Sequence, residues 1–160
     1  MDPQAKKIAL RKMPHGVYVI GVKQDAHVNA FTGTWMTQCS FTPPLVAIGV
    51  KKGTLSHQMI TAGKVFSVNV LGKDQQPLAE HFVKPAEGLA DVKLQGMAYQ
   101  PGTTGAPVLD AAIAYFECEV REVANQAGDH AVIIGEVVEA VVRKDVDALT
   151  LRDTGWHYGG

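Results

Sequence analysis

The sequence predicts a mainly β fold, with six antiparallel strands closed into one sheet and short flanking helices. Three observations predict it. Apolar stretches recur at strand length, as in Pro44–Val50 and Val65–Leu71. Most connections between such stretches are too short for the crossovers that parallel strands need. Ile113–Val123 alternates with period two, placing Ala114, Phe116, Cys118 and Val120 on one side and Glu117, Glu119 and Arg121 on the other. At 160 residues the chain suits a single domain spanning 1–160 with a sizeable core.

The elements follow in order. Asp2 caps a short helix that Pro3 starts, running to about Lys12 and stopping at Pro14. Gly16–Val22 is a β-branched and aromatic run, and Asp25-Ala26-His27 turns into Val28–Trp35. After the strand Pro44–Val50, Leu55–Ala62 reads as a helix, with Thr54 or Ser56 as cap and Gly63 just past its end. Val65–Leu71 is the next strand, and Asp74–Val83 is a second capped segment, with Pro77 in its first turn and Pro85 beyond. Lys84–Pro107 reads as a long connection of the kind that is often functional. A turn at Asn125–Gly128 leads from Ile113–Val123 into Asp129–Arg143, a strand long enough to be bent, with Gly135 at the bend.

Bulk properties exclude several function classes. A net charge of -1 gives no field to hold nucleic acid or an anionic membrane. No apolar stretch approaches the roughly 20 residues that span a bilayer, and Met1–Lys7 lacks the order of a signal peptide. Cys39 and Cys118 are in no C-x-x-C spacing, and free thiols of a cytoplasmic protein are the expectation. The absence of an N-x-S/T sequon agrees with that compartment. His15, His27, His57, His81 and His157 have no metal-ligand spacing, so no metal site is expected.

Three segments carry chemistry. Lys51-Lys52-Gly53-Thr54-Leu55-Ser56 joins the end of a buried strand to the start of a helix. The open N–H groups there, two lysines, two hydroxyls and a glycine make an anion site, and they equally describe a capped helix with solvated lysines. Neither a Walker A loop nor G-x-G-x-x-G is present. Asn29–Ser40 is dense in small hydroxylated residues, which let a flat ligand approach the backbone, while Trp35 and Met36 equally suit a core. Gly128-Asp129-His130 sets a histidine beside a carboxylate, the makings of a general base or of a plain turn.

Taken in order, T-x-x-W-x-x-Q-x-S (Thr32 to Ser40), Pro43-Pro44, F-x-V-N-V-L (Phe66 to Leu71) and G-D-H (Gly128 to His130) resemble the flavin reductase-like family over roughly Lys12 to Val142. The resemblance implies a Greek-key FMN-binding split barrel, usually homodimeric. It implies a reductase that passes a hydride from NADH or NADPH to flavin, with a monooxygenase or other redox protein as a possible partner. The family also holds flavoredoxin-type electron carriers, which are the alternative; a split barrel for another phosphorylated ligand, such as pyridoxal phosphate, is a third reading.

By the same resemblance, Thr34, Trp35, Met36, Gln38, Cys39 and Ser40 border the isoalloxazine, with Met36–Ser40 donating to its edge. Lys51, Lys52, Thr54 and Ser56 hold the FMN phosphate, with His57 in the cofactor-binding set. His81 and Phe82 lie near the cofactor, and His130, close to flavin and nicotinamide, is the catalytic candidate. The tail Leu151–Gly160 departs from that of free-standing reductases, and it or Lys84–Pro107 is placed to obstruct the nicotinamide.

Overall fold

The structure, a computed structural model, describes residues 1–89, 94, 96–124 and 127–160. Its elements in chain order are α1 (Pro3–Leu10), β1 (Tyr18–Gln24), β2 (His27–Gly33), β3 (Met36–Ser40), β4 (Leu45–Lys51), α2 (Leu55–Gly63) and β5 (Val65–Val70). A 3-10 turn (Lys73–Gln75) then leads into α3 (Gln76–His81), β6 (Tyr99–Pro101), β7 (Pro107–Leu109), β8 (Ala114–Ala124), β9 (His130–Val142) and α4 (Leu151–Thr154). The expected turn at Asn125–Gly128 lies in part outside the described residues, as does part of Lys84–Pro107.

Seven strands form one antiparallel sheet in the order β2-β1-β5-β8-β9-β4-β3. β2 and β3 stand at opposite ends of that order, yet only Thr34 and Trp35 separate them in the chain. The sheet therefore has to curl until its two ends meet at this connector. No ladder joins β2 to β3 among the described residues, so the barrel is split along that seam. β6 and β7 form a separate hairpin.

The six expected strands are all present as β1, β2, β4, β5, β8 and β9, and the count of six needs correcting. The seventh strand, β3, has the sequence MTQCS, whose three central residues are exposed, so no apolar alternation marks it. β6 ends on Pro101 and β7 begins on Pro107, and proline weakens a strand reading. Among the described residues no helix is long and apolar enough to cross a membrane.

Period-two alternation sorts β1 between two cores. Ile20 and Val22 point into the barrel with Ile48, Phe66, Cys118 and Ile133. Val19, with Val17 just before the strand, points outward to a second cluster made with Leu71, Phe82, Leu109 and Leu149. A fully buried side chain of this kind contributes about 1.5–3 kcal/mol. At Gly135 a Cβ would come within 2.5 Å of the Phe66 ring and 2.8 Å of Cys118 Cβ, so glycine is required there by close approach. The irregularity expected at that point occurs in the partner strand, where the β8–β9 register shifts between Val120 and Glu122, next to the Val120–Gly135 pair.

The F-x-V-N-V-L segment is explained by this packing. Phe66 and Val68 face the barrel, while Ser67 and Asn69, both fully buried, face the β6–β7 hairpin. Ser67 Oγ donates to Pro107 O, Asn69 Nδ2 donates to Val19 O (3.0 Å), and Leu109 N donates to Asn69 Oδ1 (2.7 Å). Glu117, paired with Ser67 across β5 and β8, is also fully buried. Its carboxylate accepts from Thr103 N (2.8 Å), Thr104 N (2.9 Å) and Thr104 Oγ1 (2.6 Å).

Candidate functional site

The β4–β9 ladder sets Lys51 opposite His130, which brings two of the three chemistry-bearing segments to one edge. Beyond the ladder, Lys52 N donates to Asp129 O and Lys52 Nζ to Gly128 O, both at 2.9 Å. Gly53, at φ +78°, turns the chain into α2. Thr54 caps that helix: its Oγ1 accepts from His57 N (3.2 Å) and donates to Lys51 O (2.9 Å).

The third segment joins through Trp35. Its indole lies 4.6 Å from the His130 ring, centroid to centroid, and 5.1 Å from the Tyr158 ring, which meets it edge-on. Gly49 underlies the indole, where a Cβ would come within 3.1–3.2 Å. His130 Nδ1 donates to Asp129 Oδ1 (2.8 Å), since a carboxylate can only accept. In neutral His130 the other nitrogen, Nε2, then accepts from Tyr158 OH (2.7 Å). The hydrogen bond from His130 holds the Asp129 carboxyl below its ordinary range, and burial with the nearby Asp129 charge pushes the Tyr158 phenol up.

The remaining predicted residues are placed less uniformly. Met36 and Gln38, with Thr37, line a groove of about 470 Å³ shared with Tyr18, Leu45 and Phe116. Gln38 and Cys39 are exposed on β3 and Ser40 is half-buried. Ser56 is buried and its Oγ accepts from Asn29 Nδ2 (3.3 Å), so this hydroxyl is turned inward. His57 is half-buried; burial first, and the Lys52 charge second, lower its pKa. Phe82 is fully buried in the outer cluster, and its carbonyl accepts from Thr32 N, which ties it to β2. His81 is exposed and meets Phe82 edge-on at 4.9 Å. Neither His81 nor Phe82 is in ring contact with the Trp35–His130 cluster among the described residues.

Sequence reasoning missed Tyr158 as a partner of His130, and also Arg11, whose Nε donates to Gly159 O (3.1 Å). The resemblance sets the tail Leu151–Gly160 against the nicotinamide position without naming either residue, since the run Trp156-His157-Tyr158 has no periodicity to place it.

Among the described residues three buried side-chain polar atoms lack a partner, Thr34 Oγ1, His57 Nε2 and Thr61 Oγ1, and the first two belong to segments of this site. Buried polar groups are nearly always satisfied, so such orphans mark places where a ligand or water completes the bonding. Together with the lysines, the Thr54 cap and the α2 N-terminus, they fit a phosphorylated ligand that carries hydrogen-bonding edges.

Residues 10–159 match the family described as flavin reductase like domain. A flavin reductase of Pseudomonas putida is 30% identical over 161 residues, covering 100% of this chain and 91% of that protein. A putative diflavin flavoprotein A 3 of a Nostoc species is 36% identical over 154 residues, 94% of this chain. The chain spans about a quarter of that protein's length, the matched share being 26%. The solved NADH:FAD oxidoreductase of Streptomyces globisporus C-1027 has a TM-score of 0.85 at 28% identity, covering 96% of this chain and 92% of that one.

Proposed function

The chain belongs to the flavin reductase-like family, and from that membership we propose that it is an FMN-binding oxidoreductase that transfers a hydride from NADH or NADPH to flavin. The observation that carries the reading is the convergence of Trp35, Lys51–His57 and Asp129–His130 at one place in the fold. The electron-carrier alternative is less favoured, because a relative matched along almost its whole length is named a flavin reductase.

In this reading residues 1–160 act as one flavin reductase-like domain, a homodimer in the cytoplasm whose reduced flavin serves a monooxygenase or another redox protein. The flavin and nicotinamide supply the hydride chemistry. The protein binds, orients and excludes water. Lys51, Lys52, Thr54 and the first turn of α2 hold the phosphate, each charge-assisted bond contributing about 1.5–3 kcal/mol. Ser56 supports the α2 end of this cradle from within, through Asn29.

Thr34–Ser40 borders the ring system, and Met36, Thr37 and Gln38 of this segment line a groove whose volume lies in the range of ordinary ligand sites. Thr34 Oγ1 and His57 Nε2 offer the polar atoms still in need of partners. Trp35 supplies an aromatic face for stacking, and Asp129 fixes the His130 tautomer with Nε2 as acceptor. The Phe82 carbonyl holds β2 at Thr32, just before Thr34, and His81 stands edge-on to the Phe82 ring.

The test is anaerobic mixing of FMN-loaded protein with NADH and then NADPH, following the flavin's visible absorbance. Rapid bleaching is expected with one or both. Bleaching by dithionite alone would overturn the donor assignment. FMN affinity well above that for riboflavin, with FAD as the third comparison, checks the phosphate assignment.

A further inference from the structure

His130, the residue that the family resemblance sets close to flavin and nicotinamide, is not free to receive the nicotinamide. One ring nitrogen is bonded to Asp129 and the other to Tyr158. The His130 side chain is only 13% exposed, although that of neighbouring Asp129 is 85% exposed. Trp35 lies on the imidazole and Tyr158 stands edge-on to it, 5.9 Å away.

The indole is covered as well. A Cβ on Gly159 would come within 2.8 Å of Trp35 Cζ2, so the bare backbone of the tail lies against the ring, and φ is +81° there. A flat aromatic ligand would stack on such a face and bond to such a nitrogen, and the tail already holds both.

We propose that His157–Gly160 is an autoinhibitory strap, with Tyr158 standing on His130 in place of the nicotinamide until that ligand displaces it. The inference rests on the reading of His130 as the nicotinamide-side residue. The base of the strap is fixed: Gly155 ends α4 in the left-handed region, and Trp156 packs on the outer core with its N–H on Thr154 Oγ1 (3.0 Å). The strap itself contains no helix or strand. Its ties are Tyr158 OH to His130 and the exposed bond from Arg11 Nε to Gly159 O. Residues 157–160 are exposed and belong to no helix or ladder, and a segment so held opens at low cost. While the strap is closed, the apparent affinity for nicotinamide is reduced by the fraction of molecules that are open.

The experiment uses the full, FMN-loaded chain and two variants, Arg11→Ala and Tyr158→Phe. Arg11 is not among the residues assigned to flavin or nicotinamide, and Arg11→Ala removes a tie to the Gly159 carbonyl; Tyr158→Phe removes only the hydroxyl. Steady-state turnover with NADH and NADPH gives KM and kcat separately, and hydrogen exchange of residues 156–160 with and without NAD⁺ reads the strap itself. The proposal expects Arg11→Ala to lower the nicotinamide KM roughly fivefold at unchanged kcat, Tyr158→Phe to lower it likewise, and NAD⁺ to speed exchange of the strap in the parent chain. Turnover in the parent chain with an unmoved KM in Arg11→Ala, or exchange indifferent to NAD⁺, overturns the strap and leaves the reductase reading standing. No turnover in the parent chain or in either variant, with FMN still bound, overturns that reading, and the strap falls with it.

Discussion

Two polar clusters in this molecule use similar residues to opposite ends. Ser67, Asn69 and Glu117 are fully buried, and each has its hydrogen bonds met within the protein. In the segments of the candidate site, Thr34 Oγ1 and His57 Nε2 are buried without partners among the described residues. A sealed and satisfied cluster stabilises the fold and holds the β6–β7 hairpin in place. One left partly unsatisfied sacrifices stability for atoms that a ligand can use.

The comparison can be broken first at Glu117. Glu117→Ala strands two backbone N–H groups and a hydroxyl, and is expected to cost about 3 kcal/mol or more in chemical denaturation. Its flavin affinity at low denaturant should stay within a few-fold of the parent's. A large loss of affinity in a folded variant would mean that the sealed cluster also serves the site.

Lys51→Ala is the mirror experiment. It should weaken FMN binding roughly tenfold in a fluorescence titration while the urea midpoint hardly moves, because Lys51 is exposed. An unmoved affinity would remove Lys51 from the phosphate cradle.

The two thiols sharpen the same contrast. Burial, with the adjacent Glu117 charge, pushes the Cys118 thiol up to about 12, whereas Cys39 lies exposed on β3. A thiol reagent at neutral pH should therefore label one cysteine quickly in the folded protein and the second only on denaturation.

The smallest effect concerns His57. Its folded pKa lies below the ordinary imidazole value of 6.5, so the unfolded chain takes up a proton first as pH falls. Stability from His57 is thus fully present above pH 6.5 and is lost as pH falls toward the lower folded value. His57→Gln should flatten the pH dependence of the denaturation midpoint below pH 6.5; an unchanged profile would mean that the ring is more solvated than its burial implies.

What was legible in the sequence follows the same division. Strands with an apolar face could be read from composition and period, and so could the start of α2, because Thr54 caps it; its end falls one residue later than expected, with Gly63 in the helix and Lys64 as the left-handed cap. Lys51–Ser56 and Gly128–His130 stood out as compact runs of chemistry-bearing residues, although nothing in the chain said that they adjoin; the β4–β9 register says so. The alternation of β8 put Glu117 on the face opposite Cys118, but periodicity names a face and not what covers it. The cover is a proline- and glycine-bearing hairpin whose strands are three residues each. Tyr158 was illegible for a related reason: its role depends on where an aperiodic tail comes to rest.

The Lys51–His130 pairing has a consequence in the order of events during folding. It joins β4 to the last strand of the sheet, with the whole middle of the chain between them. Contacts of such long range form late, after the entropy of a large loop has been lost. Neither the lysine cradle nor the histidine corner exists until that ladder zips shut, so a partly folded chain has no complete site to offer. Regained flavin fluorescence quenching during refolding would accordingly time the closing of the barrel rather than the collapse of its core.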